Sequence, residues 1–293
     1  EFPDLYYTDE GYEKETKITN VNPNIKDYLW GKVELIRWAN TNGDTLDGYY
    51  MIPEGFDAKK KYPVLVYIYE QFSDEANAFY QPRNNHRPIY QSYLGDGYIV
   101  FVPDIKYYDG YPGWSATDAV TTGLKKLMEK GFVDKDRIGL QGHSWGAYQG
   151  AFIGTQTDMF KAIAVGAPVG NMLSAYSQIR TGTGLARQFQ YESQQSRIGG
   201  HIWDSLNNYL LNSPIVQANK SKTPLLVLHG NVDEAVPFAQ GVELYLAYRR
   251  LQKPCWLIEY KNEPHHPKKY EHKLDWSIKM KQFFDHYLLG KPA

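Results

Sequence analysis

The sequence has almost no cysteine. One residue of 293, Cys255, carries a thiol, so neither a disulfide framework nor a cysteine-based zinc site can be built. Cys255 stands in the apolar run Cys255-Trp256-Leu257-Ile258 and reads as a buried, inert strand residue. No stretch approaches the roughly 18 consecutive apolar residues of a membrane-spanning helix, and no secretory signal pattern is visible. The chain opens on Glu1-Phe2 rather than Met, as expected of a processed chain or a piece of a longer one. An excess of charge of one sign is missing too: 32 Lys and Arg stand against 33 Asp and Glu, a net −1. That balance argues against a uniformly basic nucleic-acid surface and against an acidic tail. Neither nucleic acid nor a membrane is expected as a partner. H-E-x-x-H is absent as well, so His265, His266 and His272 lack zinc spacing. No metal or organic cofactor is expected. Internal repeats and low-complexity segments are also lacking.

Aromatic residues are plentiful, at 15% with 25 Tyr. Tyrosine combines apolar area with a polar tip, which suits peptide or sugar binding and equally a tyrosine-rich core. The length fits one large α/β domain. Residues 1–30 are polar and aromatic without a clear period and read as an arm or linker; residues 31–293 read as the folded unit. Val33–Trp38 and Leu46–Ile52 alternate as paired strands across the Asn42-Gly43-Asp44 turn. Val64–Tyr69 is a continuous apolar run, as a strand buried on both faces would be. Strands are then predicted at Tyr98–Val102, Arg137–Gln141, Ala162–Val165, Leu225–Leu228 and Trp256–Tyr260. Helices are predicted at Ser115–Lys130, Trp145–Gly154, Phe238–Leu251 and His272–Leu289, with short helices across 171–210. Such alternation implies a mostly parallel central sheet with helices on both faces.

Gly142-His143-Ser144-Trp145-Gly146 is a G-x-S-x-G pattern between a predicted strand and a predicted helix. That context is the one a nucleophile elbow needs: the glycines permit a sharp turn that lifts the serine hydroxyl above the sheet. The following helix aims its N-terminus at the site, and the Trp145 N–H can bind an oxyanion. A serine hydroxyl needs a base, and in this topology the partners follow in the order serine, acid, histidine. Asp233 comes just after the Leu225–Leu228 strand, with Glu234 as a competing acid. Taken alone, Asp233 reads equally well as a cap of the helix at Phe238. His265 and His266 follow the last strand, and either could be the base. His143, His201 and His286 read as structural, and His86 lies in a polar loop without a signal.

With these residues the chain resembles the catalytic domain of the prolyl oligopeptidase family of serine peptidases, an α/β-hydrolase fold. The resemblance runs over nearly the whole chain. It rests on Lys60-Lys61-Tyr62-Pro63, Pro103-Asp104, Gly142 to Tyr148, Ala167-Pro168-Val169, His229-Gly230-Asn231-Val232-Asp233 with Val236-Pro237, and Glu263-Pro264-His265. The segments Gln190–Gly200 and Phe283–Leu288 resemble a bacterial subgroup that is often exported. The family's E-x-H pattern falls on Glu263-Pro264-His265, which makes His265 the base. His266 stands where the family usually has glycine, and Ala147 replaces the commoner second glycine of the elbow. The resemblance implies an oxyanion hole from the Trp145 N–H and the Tyr69 hydroxyl. It further implies a small apolar pocket from Trp145, Val169, Met172, Tyr176 and Val236, suited to proline or alanine, with Arg180 on a substrate carbonyl. Family members usually carry an N-terminal β-propeller that gates the site and, in exopeptidases, binds the substrate amine. The opening Phe2-Pro3-Asp4-Leu5 through Asn24 resembles the junction to such a propeller, so a catalytic fragment is expected, with its own propeller or a second copy as partner.

The expected function is a serine peptidase acting on short peptides through Ser144, Asp233 and His265. An esterase on the same fold and a non-catalytic binding domain are the alternatives.

Overall fold

The computed structural model describes residues 3–292; Glu1 and Phe2 of the expected arm and Ala293 of the expected folded unit lie outside them. Eight strands form the central sheet: β1 (Lys32–Ala39), β2 (Thr45–Ile52), β3 (Tyr62–Ile68), β4 (Ile99–Pro103), β5 (Val133–His143), β6 (Ala162–Gly166), β7 (Leu225–Gly230) and β8 (Cys255–Tyr260). Their spatial order is β8-β7-β6-β5-β3-β4-β2-β1. The strand β2 runs antiparallel to both β1 and β4. The remaining neighbours pair in parallel. The register of β3 against β5 shifts between Tyr62 and Val64, at Pro63, which has no N–H to give the ladder.

Period-two alternation sends successive side chains to opposite faces. Val64, Val66 and Ile68 of β3 join one apolar cluster with Ala116, Val120 and Leu124 of α2 (Pro112–Met128), Ala147 and Ala151 of α3 (Trp145–Ile153), and Leu244. Leu65 and Tyr67 join the other, with Tyr93 and Leu94 of α1 (Tyr90–Gly95) and Trp276, Met280 and Phe284 of the closing helix Tyr270–Leu289. Helices therefore cover both faces of an α/β-hydrolase sheet, as the sequence pattern implies. Among the described residues no helix is long and apolar enough to cross a membrane.

Several details differ from the sequence reading. The arm contains a small antiparallel pair, Tyr6–Thr8 with Glu15–Lys17, and a 3-10 turn at Pro23–Asp27. The helix α2 begins at Pro112 rather than Ser115, because proline at the first turn loses no hydrogen bond. The strand β5 begins at Val133 rather than Arg137, and its polar Asp134-Lys135-Asp136 stretch hid that start. The helix Tyr90–Gly95 was not expected at all. Cys255 is buried, and burial pushes its thiol up to about 12, as an inert thiol would be.

Candidate active site

Four loops at the C-terminal ends of β3, β5, β7 and β8 carry Tyr69, Ser144, Asp233 and His265. In parallel sheets this edge collects functional groups, because the loops there are free of the sheet's packing.

Ser144 has φ 58° and ψ −117°, a backbone conformation that side chains other than glycine rarely adopt. The surroundings enforce it. The Ser144 N–H donates to the Gly166 carbonyl at 2.7 Å, and the Ser144 carbonyl accepts from Ala147 and Tyr148 at 3.0 Å each. A Cβ at Gly142 would lie 2.2 Å from the Gly146 carbonyl oxygen, and one at Gly146 would lie 2.2 Å from the Ile68 carbonyl oxygen. Both positions therefore require glycine. Ala147 takes the second-glycine position fully buried, its methyl in the apolar cluster that holds Ile68 and Ala151. Trp145 opens α3, so its N–H has no partner within the helix.

Asp233 is fully engaged. Its Oδ1 accepts from the Ala235 and Val236 N–H groups at 2.8 and 2.7 Å. Its Oδ2 accepts from His265 Nδ1 at 2.7 Å and from His229 Nε2 at 3.2 Å. Burial alone would raise the carboxyl, but the bonds from His229 and His265 outweigh it and hold Asp233 well below the usual carboxylate range. In the tautomer that donates from Nδ1 to Asp233, His265 presents Nε2 as an acceptor. The capping role open to Asp233 is not the one observed: the helix Phe238–Arg250 is entered through Pro237. Glu234 does not reach a histidine ring and instead accepts from the His265 backbone N–H at 3.1 Å.

The loops of β7 and β8 are laced together. Val232 N–H donates to the Glu263 carbonyl at 3.2 Å, and Asn262 N–H donates to Asn231 Oδ1 at 2.7 Å. The buried Glu263 carboxylate accepts from Lys268 N–H at 2.6 Å and from His272 Nδ1 at 2.6 Å. His272 is thus turned to Glu263. The His265 ring lies 4.8 Å from the His143 ring, beside Ser144. Among the described residues no hydrogen bond joins the Ser144 hydroxyl to His265, and such bonds commonly tighten only when substrate is bound.

Tyr69 is half-buried, and its hydroxyl accepts from Gln195 Nε2 at 3.2 Å. Trp145, Val169, Met172, Tyr176 and Val236 share one buried apolar cluster, against which Tyr69 packs. The same cluster holds Tyr148, Tyr191, Ile198 and Tyr209, which the sequence reading did not include. Trp145 stacks on Tyr148 at 4.4 Å, and Tyr176 meets Tyr209 edge-on at 5.2 Å. Arg180 stands outside the cluster, on a two-residue strand, and donates to Gln190 Oε1 at 3.2 Å. Gln190 in turn donates to Gln195 at 3.1 Å, so a polar chain links Arg180 to Tyr69. Gln195 and His229 sit inside quoted motifs, yet only three-dimensional contact assigns them these bonds.

His86 and His143, read from the sequence as silent and structural, lie against this site with their rings 4.3 Å apart. Burial, with neighbouring histidines, holds His143 well below the usual range, His86 at about 2, and His266 lower than usual.

Comparison with known proteins agrees with this architecture. The profile of the prolyl oligopeptidase family matches residues 91–291. The uncharacterized peptidase YuxL of Bacillus subtilis is 24% identical over 304 residues, covering 97% of this chain and 44% of that protein. Human dipeptidyl peptidase 8 is 29% identical over 274 residues, covering 87% of this chain and 27% of its own length. The acylaminoacyl peptidase of Pyrococcus horikoshii superposes with a TM-score of 0.76 at 20% identity, over 99% of this chain and 47% of that one. The chain spans less than half the length of these relatives. With the family profile matched over more than half its length, the chain belongs to the prolyl oligopeptidase family.

Proposed function

We propose that this chain is the catalytic unit of a serine peptidase that cleaves short peptides after proline or a small residue. The observation that carries the reading is the His265–Asp233 hydrogen bond of 2.7 Å beside a serine held at φ 58°. Ser144 Oγ attacks the scissile carbonyl while His265 Nε2 takes its proton. Asp233 keeps Nδ1 protonated and stabilises the imidazolium. The Trp145 N–H and the Tyr69 hydroxyl bind the oxyanion, each worth about 10²–10³ in kcat. His265 then protonates the leaving amine, an acyl-enzyme remains on Ser144, and water resolves it by the same steps in reverse. The apolar, aromatic cluster of Trp145, Val169, Met172, Tyr176 and Val236 supports proline or alanine at the cleaved position, and Arg180 supports polar contact farther along the substrate.

The test is a fluorophosphonate probe on the purified chain, with the adduct mapped by mass spectrometry, followed by matched proline-amide and simple ester substrates. An adduct on Ser144 and turnover of the amide are expected. An adduct with ester turnover alone would make the protein an esterase, and no adduct would overturn the reading for this chain.

A further inference from the structure

Three histidines that take no part in the proposed chemistry converge beside it. His86 comes from the loop before the helix Tyr90–Gly95, His143 from the end of β5, and His266 from the loop after β8. One ring nitrogen from each lies within 4.8 Å of the other two. The ring centres are 4.3 Å apart for His86 and His143, 4.4 Å for His86 and His266, and 5.0 Å for His143 and His266. His143 is 2% exposed, and neither of its ring nitrogens has a hydrogen-bond partner among the described residues. A buried ring nitrogen without a partner is unfavourable, and the His143 nitrogen within 4.8 Å of those of His86 and His266 is idle and available to a ligand.

We propose that His86, His143 and His266 form a binding site for a divalent transition-metal ion of the Zn²⁺ type, and that its occupancy shuts off the neighbouring Ser144–His265 centre. Imidazole nitrogens suit Zn²⁺, whereas Mg²⁺ and Ca²⁺ require oxygen ligands that this trio does not offer. Three protein ligands with a fourth position left to water is a common zinc arrangement. A tetrahedral shell with Zn–N of about 2.0–2.1 Å draws the three nitrogens closer than they stand without the ion. His266 is exposed and His86 only half-buried, so these two rings can swing in while His143 stays fixed by its strand.

The inhibitory half rests on the peptidase reading. His143 immediately precedes Ser144, His266 immediately follows His265, and the His265 ring is 4.8 Å from both neighbouring rings. A dication there opposes the positive charge His265 acquires when it takes the serine proton.

The test uses the untagged chain after chelator treatment. Calorimetric titration with ZnCl₂ is expected to show one site per chain. His86→Gln and His266→Gln should each weaken it by about tenfold or more, the scale seen when zinc ligands lose even their supporting partners. His201→Gln, which removes a histidine paired with Asp204 at 2.8 Å, should leave it unchanged. Circular dichroism checks that each variant is folded. In parallel, zinc should slow fluorophosphonate labelling of Ser144 in the wild type and have far less effect in His266→Gln. No stoichiometric site, or unchanged affinity in both His86→Gln and His266→Gln, overturns the metal site. Zinc binding without slower labelling overturns the inhibitory half. A Ser144 that never labels in chelator, in a chain that still binds zinc through these histidines, defeats the peptidase reading and the inhibitory half and leaves the metal site standing.

Discussion

Gln195 donates its side-chain N–H to the Tyr69 hydroxyl oxygen at 3.2 Å. The orientation of the amide is fixed from both ends, since Nε2 also donates to Glu70 Oε1 at 3.1 Å and Oε1 accepts from Gln190 at 3.1 Å. Because the tyrosine oxygen is the acceptor, its own proton remains available to point at an oxyanion. On the proposed oxyanion role of Tyr69, Gln195 positions the donor without consuming it. Tyr69→Phe should lower kcat by about 10²–10³ with little change in KM. Gln195→Ala should produce a smaller loss in the same direction, and Gln195→Glu, which replaces the donor with an acceptor, should not restore it. Steady-state kinetics on a proline-amide substrate check the ranking.

The two histidines at the end of β8 should separate cleanly. His265→Gln removes the proposed base, the ring bonded to Asp233, and should lower turnover by about 10⁴-fold. His266→Gln, assayed in chelator, should lose far less. The reverse order would move the base to His266.

Gly146→Ala should destabilise the chain by about 3 kcal/mol or more, because the added Cβ would sit 2.2 Å from a main-chain oxygen that cannot swing aside. Urea unfolding measures the loss. Labelling at Ser144 should fall with it even under conditions where the variant remains folded.

The lowered Asp233 carboxyl sets a pH signature. A carboxylate whose folded value lies below its unfolded one contributes stability above the unfolded pKa of about 3.9 and loses it as pH falls through the folded value. Wild type should therefore exceed Asp233→Asn in unfolding free energy by a constant margin across roughly pH 5 to 7, with the margin shrinking below about pH 4. A margin that grew on acidification would contradict the assignment.

Cys255, with its thiol pushed up to about 12 by burial, should resist iodoacetamide at pH 8 in the native chain and react fully in urea. Mass spectrometry of the intact protein reads both states.

Much of the sheet is legible because its strands carry their burial in their composition. Val64–Ile68 and Leu225–Leu228 are apolar on both faces, as a covered parallel strand must be. The elbow is legible because its glycines answer to local contacts, with Gly142 facing Gly146. The helix Tyr90–Gly95 escaped because six residues are too few to display a period. Gln195 against Tyr69 and His86 against His143 escaped for another reason. These pairs join segments distant in sequence, and nothing in the residues between them encodes the approach.

The order of the strands has a consequence for how the site comes into being. Tyr69, Ser144, Asp233 and His265 hang from β3, β5, β7 and β8, and His265 follows every strand of the sheet. A nascent chain emerging from the ribosome presents its serine long before the histidine exists. Contacts of such wide sequence separation form late, so under the proposed mechanism the growing chain could not act on itself or its neighbours until the last strand had docked.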